Sequence, residues 1–221
     1  MPSGHTRRVD WAILSGLDDT ERRAVLSRAT RRRYRSGDSL FHQGDPGDSV
    51  HLLDRGHVAV QVVDPRGTTV TLDVLAPGSA FGEQSLLAEP RRTASVVAIG
   101  AVETLVLRRD EFTDLQRRHP SVTGILVEVL AAQVRRLSEH LLDAHTMPAD
   151  DRVRKQLRRL AHSFADGSTA IVPITQHDLA SLAGTTRPTA NRALQPLVEA
   201  GVVELGRGRI LVTDLAALSE H

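Results

Sequence analysis

The chain has 221 residues, of which 40% are hydrophobic and 25% charged, with a formal net charge of +1 at pH 7. This composition predicts a globular protein of one large or two small domains and excludes nucleic-acid binding through bulk charge. The sequence has no cysteine, which excludes disulfides, thiolate zinc sites and cysteine-ligated iron–sulfur clusters. No apolar run approaches the roughly 18 residues that span a bilayer, and the polar start lacks a secretory signal. We therefore expect a cytoplasmic protein without a membrane partner.

The first predicted element is a helix that begins near Asp18. Residues 18–21 have the pattern of a capping box, and Leu17 precedes them as an apolar staple. A basic run, residues 31–35, follows. We interpret it as a solvated face that leads into a strand rather than as a nucleic-acid site.

Short β-type runs separated by turn residues dominate residues 39–107. The predicted strands cover 50–53, 58–63, 70–75 and 95–107, and the predicted turns include 54–56, 64–67 and 76–78. Strands at this regular spacing predict a sandwich or a barrel-like β domain.

Between two of these strands lie the residue types that bind a sugar phosphate. Glu83 can accept hydrogen bonds from a ribose hydroxyl, and Gly82 lets the backbone approach a ligand closely. Arg92 suits a phosphate because its planar guanidinium makes two parallel charge-assisted hydrogen bonds, and Thr93 can assist it. Gln84, next to Glu83, is also a candidate ligand contact. The set favours a phosphate-bearing regulatory ligand over a catalytic site.

A long helix is predicted from about residue 120 to residue 142. Its apolar residues recur at spacings of 4, 4, 3 and 4, and they are Leu126, Leu130, Val134, Leu137 and Leu141. A stripe this narrow is typical of a coiled-coil seam, so we predict a homodimer. The alternative is that the helix packs on its own β domain. Residues 146–150 break the pattern and predict a hinge.

Two short helices with clear ends are predicted in the last segment. Thr175 and Asp178 have the spacing of a helix cap, and Gly184 can end this first helix in the left-handed conformation. Thr186 can cap a second helix that covers residues 187–200. The tight turn between them predicts a helix-turn-helix.

The second helix carries two prolines and is followed by a predicted hairpin. Pro188 falls in the first turn, where its missing N–H costs little, whereas Pro196 should kink or shorten the last turns. Strand-like runs on both sides of a turn at 206–208 complete a winged helix-turn-helix. Helix arginines can read guanine in the major groove, and wing arginines suit phosphates. The candidate DNA contacts are Thr186, Arg187, Thr189, Asn191, Arg192, Arg207 and Arg209.

These parts, in this order, resemble the cyclic-AMP receptor protein (Crp/Fnr) family of bacterial transcription regulators over nearly the whole chain. Residues 41–48 and 53–58 look like the glycine-bearing turns of the family's β-roll. Residues 81–83 and 91–94 look like its phosphate-binding cassette, and residues 134–137 match its dimer helix.

The resemblance implies an α+β architecture in three parts. A jelly-roll-like, cyclic-nucleotide-binding β-roll would cover residues 1–118, a dimerisation helix 119–145, and a winged helix-turn-helix 146–221. Ligand in each β-roll would act through the dimer helix on the recognition helices. The implied partners are a two-fold symmetric double-stranded DNA and a second copy of the chain, with RNA polymerase as a further candidate.

The resemblance also implies roles for the ligand-site residues. Glu83 would contact the ribose 2′-hydroxyl and Arg92 the cyclic phosphate, with further contacts from Thr93 and Gly82. The implied ligand is cyclic AMP, favoured over cyclic GMP.

The purine-reading pair of cyclic-AMP-binding members has no complete match in this sequence. It falls on Leu137 and Ser138 by one alignment and on His140 and Leu141 by another, and Ser138 is our candidate. On the recognition helix, the family's glutamate after the first arginine is Pro188 here, so we expect one base position to be read differently.

Two alternative functions are less well supported by the sequence. One is the same type of regulator with haem, or with no effector, in place of the nucleotide. A haem sensor would need His51 or His57 with the Pro2 end as ligands, although these histidines fit ordinary strand positions. A nucleotide-processing enzyme is not favoured because we find no metalloprotease motif, phosphate loop or nucleophile elbow. We therefore assign no catalytic residue and no metal site.

Overall fold

The computed structural model describes residues 11, 14, 16–87 and 91–220. The chain divides into two compact units. Unit 1 comprises Met1–Ala59 with Leu75–Val134, and unit 2 comprises Val60–Val74 with Arg135–His221. Among the described residues, no helix is long and apolar enough to cross a membrane.

The first part of the chain is rich in strands and the second part is rich in helices. In chain order they are α1 (Asp19–Arg28), β1 (Thr30–Tyr34), β2 (Ser39–Phe41), β3 (Ser49–Val63), β4 (Thr69–Leu75), β5 (Ala80–Phe81), α2 (Gln84–Leu87), β6 (Ser95–Arg108), α3 (Arg109–Arg118), α4 (Ser121–Thr146), α5 (Ala149–Ser163), β7 (Ala165–Asp166), β8 (Thr169–Val172), α6 (Gln176–Leu182), α7 (Arg187–Glu199), β9 (Val203–Gly206), β10 (Arg209–Val212) and α8 (Leu215–Glu220).

The sheet of unit 1 is built around the long strand β6. β6 pairs with β1 and β2 on one side and with β3 on the other, and β5 pairs with β3. β1 runs antiparallel to β6, with Tyr34 opposite Val102. The predicted β domain is thus confirmed.

The predicted break between residues 53 and 58 is wrong, because β3 is one continuous strand of 15 residues. Its Gly56 has φ +78°, and a Cβ at this position would lie 2.2 Å from the Ala101 carbonyl oxygen. Gly56 therefore permits a close approach between two strands and not a turn.

The core of unit 1 joins the sheet to three helices. Its buried members are Trp11, Leu14, Leu17, Val25, Val50, Leu52, Leu105, Leu107, Phe112, Leu115, Val122 and Leu126. The Trp11 indole donates to the Leu53 carbonyl at 3.0 Å, which satisfies its buried N–H. Because Val122 and Leu126 belong to α4, the first half of this helix is packed on the β domain.

The first helix begins as predicted. Asp18 Oδ1 accepts hydrogen bonds from the backbone of Thr20 and Glu21, and Glu21 completes the capping box. In the basic run, Arg31 and Arg33 form ion pairs with Glu103 at 2.7 and 3.0 Å. Two arginines of the run therefore form ion pairs with the neighbouring strand β6.

The apolar stripe of α4 differs from the prediction at its first position. Leu126 is 1% exposed and belongs to the unit 1 core, whereas Val127 is 63% exposed. Val127, Val134, Leu137 and Leu141 are exposed, and the half-buried Leu130 completes their heptad spacing. Of these, Val134, Leu137 and Leu141 are 61–67% exposed. The helix thus has an inward apolar stripe that packs on its own β domain and an outward apolar stripe that is exposed; dimerisation through the outward stripe stays a prediction.

Unit 2 contains a four-stranded sheet with the order β7-β8-β10-β9. Its helices α5 to α8 bury a core that includes Val153, Leu157, Leu160, Leu179, Leu194, Leu197, Ile210 and Leu218. The two helices and the hairpin of the predicted winged helix-turn-helix are α6, α7, β9 and β10. No sequence pattern separately predicted α5, the short strands β7 and β8, or α8.

Candidate functional site

Arg92 is a buried arginine that several neutral acceptors hold in place. Nη1 donates to the Ser49 carbonyl at 2.8 Å and to the Gly82 carbonyl at 3.1 Å, and Nη2 donates to Ser49 Oγ at 3.0 Å. The guanidinium carbon lies 4.1 Å from the centre of the Phe41 ring, a cation–π contact. These contacts orient the guanidinium but supply little negative charge, so the cluster suits an anion.

The electrostatics of Arg92 agree with that view. Burial holds the pKa of its guanidinium below the ordinary value, and the carboxylates of Asp48, Asp45 and Glu83 oppose this shift. The Asp48 carboxylate is 3.9 Å from Nη2, yet its side chain is 66% exposed. A further negative charge beside Arg92 would offset the free-energy cost of burying this cation.

Gly82 makes the approach of Arg92 possible. Its φ is +80°, and a Cβ at this position would lie 2.5 Å from Arg92 Nη1 and 3.1 Å from the Ser49 carbonyl oxygen. Any side chain here would therefore strain the backbone and displace the guanidinium.

Glu83 is a buried carboxylate directly after this glycine, with 3% of its surface exposed. Gln133 of α4 donates from Nε2 to Glu83 Oε1 at 2.6 Å. This charge-assisted hydrogen bond compensates the buried carboxylate. It also joins the predicted ribose-binding group to the predicted dimer helix.

The other predicted ligand residues occupy less buried positions. Thr93 Oγ1 donates to Gln84 Oε1 at 3.2 Å, which links the two ends of the cassette. Ser138 is exposed on α4, in the part of the helix that belongs to unit 2. The structure thus brings Gly82, Glu83, Gln84, Arg92 and Thr93 together within unit 1.

An aromatic cluster packs beside Arg92. The ring of His51 stacks on that of Phe81, with centroids 5.1 Å apart and planes at 15°, and lies 5.5 Å from that of Phe41. Burial lowers the pKa of His51 to about 3, and the Arg92 charge adds to the effect. His51 is therefore a neutral packing residue at pH 7.

No cluster of three or more His, Cys, Asp or Glu side chains that could hold a metal occurs in the described part of the chain. The two histidines considered for haem, His51 and His57, both lie in β3. The Pro2 end lies outside the described residues.

The helix-turn-helix of unit 2 begins and ends where its capping residues predict. Thr175 and Asp178 form a capping box at the start of α6, and Gly184 follows it with φ +59°. Thr186 caps α7, where its hydroxyl accepts from the Thr189 backbone. The α7 helix continues through Pro196 to Glu199 and is not shortened by the proline.

The predicted DNA contacts differ in exposure. Thr186, Arg187, Arg192, Arg207 and Arg209 are exposed. Arg192 Nη2 lies 3.5 Å from Asp150 Oδ1, an ion pair of exposed side chains that a phosphate could replace at small cost.

Thr189 and Asn191 are half-buried. The Thr189 and Thr186 hydroxyls are 3.1 Å apart and engage each other. The Asn191 Oδ1 is buried and has no hydrogen-bond partner among the described residues. Asn191 therefore needs to turn outward before it can reach a base.

Arg152 of α5 holds the helix-turn-helix to the hinge. Its guanidinium donates to the carbonyls of Ala183, Met147 and Gly184 at 2.9, 2.9 and 3.2 Å. These bonds satisfy carbonyls at the end of α6 and at the end of α4.

Sequence reasoning missed Ser49, Phe41 and Gln133 as neighbours of the ligand residues. Ser49 and Phe41 are far from Arg92 in sequence, and nothing local connects them to it. Gln133 had no local signal either, because only the position of the β domain shows that its side of α4 faces inward.

Comparison with known proteins agrees with both parts of the fold. Residues 31–119 match the family model "Cyclic nucleotide-binding domain", and residues 151–221 match the "Crp-like helix-turn-helix domain". The Cyclic AMP receptor protein of Thermus thermophilus is 38% identical over 208 residues, which cover 94% of this chain and 95% of that protein.

A second curated protein and a solved structure are similar over nearly their whole lengths. The CRP-like cAMP-activated global transcriptional regulator of Mycobacterium tuberculosis is 28% identical, with 95% of each chain covered. The crystal structure of the Thermus thermophilus Catabolite Activator Protein matches with a TM-score of 0.56 and 37% identity, covering 95% of this chain and 97% of that one.

A cyclic-nucleotide-binding domain followed by a helix-turn-helix domain defines a DNA-binding transcription regulator and not an enzyme. The chain belongs to the Crp/Fnr family of such regulators.

Proposed function

We propose that this protein is a homodimeric transcription regulator whose DNA affinity is controlled by a cyclic nucleotide, cyclic AMP rather than cyclic GMP. The observation that carries the proposal is the pair of buried charged groups, Arg92 and Glu83, on either side of Gly82. The similar proteins from Thermus thermophilus and Mycobacterium tuberculosis are named for cyclic AMP, which supports that nucleotide.

The cyclic phosphate lies against Arg92, assisted by Thr93, in this proposal. Arg92 then exchanges the neutral acceptor Ser49 Oγ for a charged phosphate oxygen, which is a stronger acceptor. Glu83 accepts from the ribose 2′-hydroxyl, and Gln84 closes the site through Thr93. Ser138 is the candidate contact for the purine.

The outward stripe of α4 forms the dimer interface in this proposal. α4 has 26 residues, and a helix of that length extends about 39 Å, enough for a coiled-coil seam. Three apolar side chains of this stripe are more than 60% exposed, an arrangement that a second copy of α4 would cover.

The two recognition helices of a dimer fit two half-sites about one helical turn apart on double-stranded DNA. Arg187 reads bases, and Arg207 and Arg209 contact phosphates from the wing. Residues 1–118 serve as sensor, 119–145 as dimer helix and 146–221 as DNA-binding domain. RNA polymerase is a candidate further partner. Because the proposed target is chromosomal DNA, the protein functions in the cytoplasm.

Regulation follows if the nucleotide binds the DNA-competent state more tightly than the other state. The ligand then shifts the equilibrium between them by its differential affinity. α4 is the connecting element, because Gln133 on this helix contacts the ribose-binding carboxylate.

Calorimetric titration with cyclic AMP and cyclic GMP tests the ligand. We expect the wild type to prefer cyclic AMP, and we expect Arg92→Ala to lose at least about 100-fold in affinity, as the loss of two charge-assisted hydrogen bonds implies. Arg35→Ala is the matched control, since Arg35 is exposed and lies outside the cassette, between β1 and β2. A wild type that binds neither nucleotide would contradict the proposal.

A further inference from the structure

The start of α7 has an outward-facing arc of four side chains. Successive residues are about 100° apart around a helix axis, so the arc covers about 140° and contains, in this order, Arg187, Asn191, Pro188 and Arg192. Three of these residues are exposed and Asn191 is half-buried. Pro188 and Asn191 therefore lie side by side between two arginines, within the first two turns of the helix.

Pro188 gives this arc an apolar surface without a hydrogen-bonding group. It is the second residue of α7, where a backbone N–H would have no partner within the helix. Its exposed ring can neither donate nor accept, so it cannot pair with the polar edge of a base. The contact that the major groove offers to an apolar side chain is the C5-methyl group of thymine.

Asn191 carries a side-chain amide with an unpaired oxygen. Its Oδ1 is buried and has no hydrogen-bond partner among the described residues, and an unpaired buried carbonyl is destabilising. Turning the side chain outward therefore gives up no hydrogen bond at this atom. The base that fits such an amide in the major groove is adenine, whose N6 amino group donates to Oδ1 and whose N7 accepts from Nδ2.

A single base pair meets both requirements. Pro188 and Asn191 are three positions apart on the helix, so their Cβ atoms are about 5–6 Å from each other and can face the same pair. The pair of adenine and thymine presents both a methyl group and the adenine edge in the major groove. A pair of guanine and cytosine would instead place the cytosine amino group against a ring that cannot accept its hydrogen bond.

We propose that Pro188 and Asn191 together select an A·T pair in each half-site, beside the guanine that Arg187 reads. Pro188 packs on the thymine methyl, and Asn191 forms two hydrogen bonds with the adenine of the same pair. The inference rests on one part of the proposed function, the entry of α7 into the major groove, and not on control by a cyclic nucleotide.

Base analogues test each contact at the level of single groups. Selection by the wild type from a random duplex pool, with and without saturating cyclic AMP, should enrich A·T at this position. Uracil in place of this thymine in one half-site lacks only the methyl and should weaken binding about 4-fold. In place of the adenine, 7-deazaadenine lacks the N7 acceptor and should weaken binding about 5-fold. Fluorescence anisotropy measures both losses.

Variants of the two residues assign these losses. In Pro188→Ser the uracil substitution should no longer weaken binding, and in Asn191→Ala the 7-deazaadenine substitution should no longer do so. Pro188→Glu should move the selected pair to G·C, because a carboxylate accepts from the cytosine N4 amino group.

The third turn of the same helix supplies the matched controls. Pro196→Ser removes an exposed proline ring, and Gln195→Ala removes an amide that donates to Glu199 Oε1 at 3.0 Å. Both should keep the wild-type sequence preference and the wild-type response to the two analogues. A control that changes these responses as much as its partner variant would refute the assignment.

The possible results separate this inference from the proposed function. If the wild type selects no A·T pair beside the guanine, or loses no affinity with either analogue, the roles of Pro188 and Asn191 are refuted. Reading of bases by α7 then stands if Arg187→Ala changes the selected sequence. If Arg187→Ala leaves the selected sequence unchanged as well, or if the wild type selects no sequence, both are refuted. The analogues act on the wild-type protein, so this test holds even if a variant does not fold.

Discussion

Individual residues of unit 1 show how neutral neighbours orient the proposed ligand site. Arg92 is fixed by Ser49, Phe41 and the Gly82 carbonyl, so it need not search for its orientation when an anion arrives. Such preorganisation lowers the entropy cost of binding. Its price is local: Gly82 cannot be replaced without moving the guanidinium.

Gly82→Ala should weaken cyclic-nucleotide binding by about tenfold or more, because one misplaced charge-assisted contact costs roughly 1.5–3 kcal/mol. The positive φ adds a cost of about 1–2 kcal/mol to folding. Calorimetric titration measures the first effect and thermal unfolding the second.

Gly37→Ala separates the two costs. Its φ is +84°, and a Cβ at this position meets nothing within 4 Å. We expect a similar loss of stability with unchanged nucleotide affinity, and a loss of affinity in both variants would show that backbone strain alone explains the result.

His51 makes stability depend on pH. Its folded pKa is about 3, below its ordinary value, so the unfolded chain binds a proton between these values that the folded chain does not. Stability should therefore fall as the pH falls below about 6.5, by roughly 2 kcal/mol at pH 5.

His51→Phe should remove this part of the acid sensitivity, and urea unfolding between pH 7 and pH 5 measures it. The control is His42→Gln at an exposed histidine of the same unit. Equal pH slopes for the wild type and His51→Phe would refute the account of His51.

Among the elements, α4 has two apolar stripes. Its inward stripe packs on the β domain through Val122 and Leu126, and its outward stripe exposes Val134, Leu137 and Leu141, which we propose contact a second copy. The sequence alone cannot separate the two stripes, since Leu126 and Val127 are both apolar neighbours. Only the position of the β domain decides which of them is buried.

Val134→Asp combined with Leu137→Asp should convert a dimer into a monomer, because two charges per chain would be buried in the interface. Light scattering after size exclusion measures the mass. Glu139→Lys, a charge change on the opposite face of α4, is the control and should leave the mass unchanged. A double variant with the wild-type mass would refute a dimer through this stripe.

The recognition helix α7 and the wing should contribute in different ways. Arg187→Ala should lose base discrimination and keep salt-sensitive background binding, because a base contact is worth about 1–3 kcal/mol of discrimination. Selection from a random duplex pool measures the sequence preference.

Arg209→Ala is the comparison on the wing, and it should weaken binding to all sequences and lower the salt slope by about 1. An unchanged sequence preference in Arg187→Ala would show that this arginine does not read bases.

For the whole molecule, the features that could be predicted from the sequence are those that depend on residues close together in the chain. The capping residues Thr175 and Thr186 place both helices of the helix-turn-helix, because a cap is settled by residues three positions apart. Gly56 was misread as a turn, since its neighbour Ala101 is distant in sequence. Contacts such as Arg92 with Ser49 lie beyond any local pattern for the same reason.

The whole molecule is nearly neutral although it has a DNA-binding domain. With a net charge of +1, its DNA affinity has to come from a few exposed arginines, and in the proposed function the ligand controls their placement. Such control is a coupling free energy between the two sites.

The most direct test of this control is the DNA affinity of the wild type and of Arg92→Ala, measured by fluorescence anisotropy on a selected duplex with and without saturating cyclic AMP. We expect the nucleotide to tighten wild-type binding by about 5- to 150-fold, the usual range of coupling between sites. Arg92→Ala should bind with the affinity of the ligand-free wild type under both conditions. A wild type whose DNA affinity is the same with and without cyclic AMP would contradict the account.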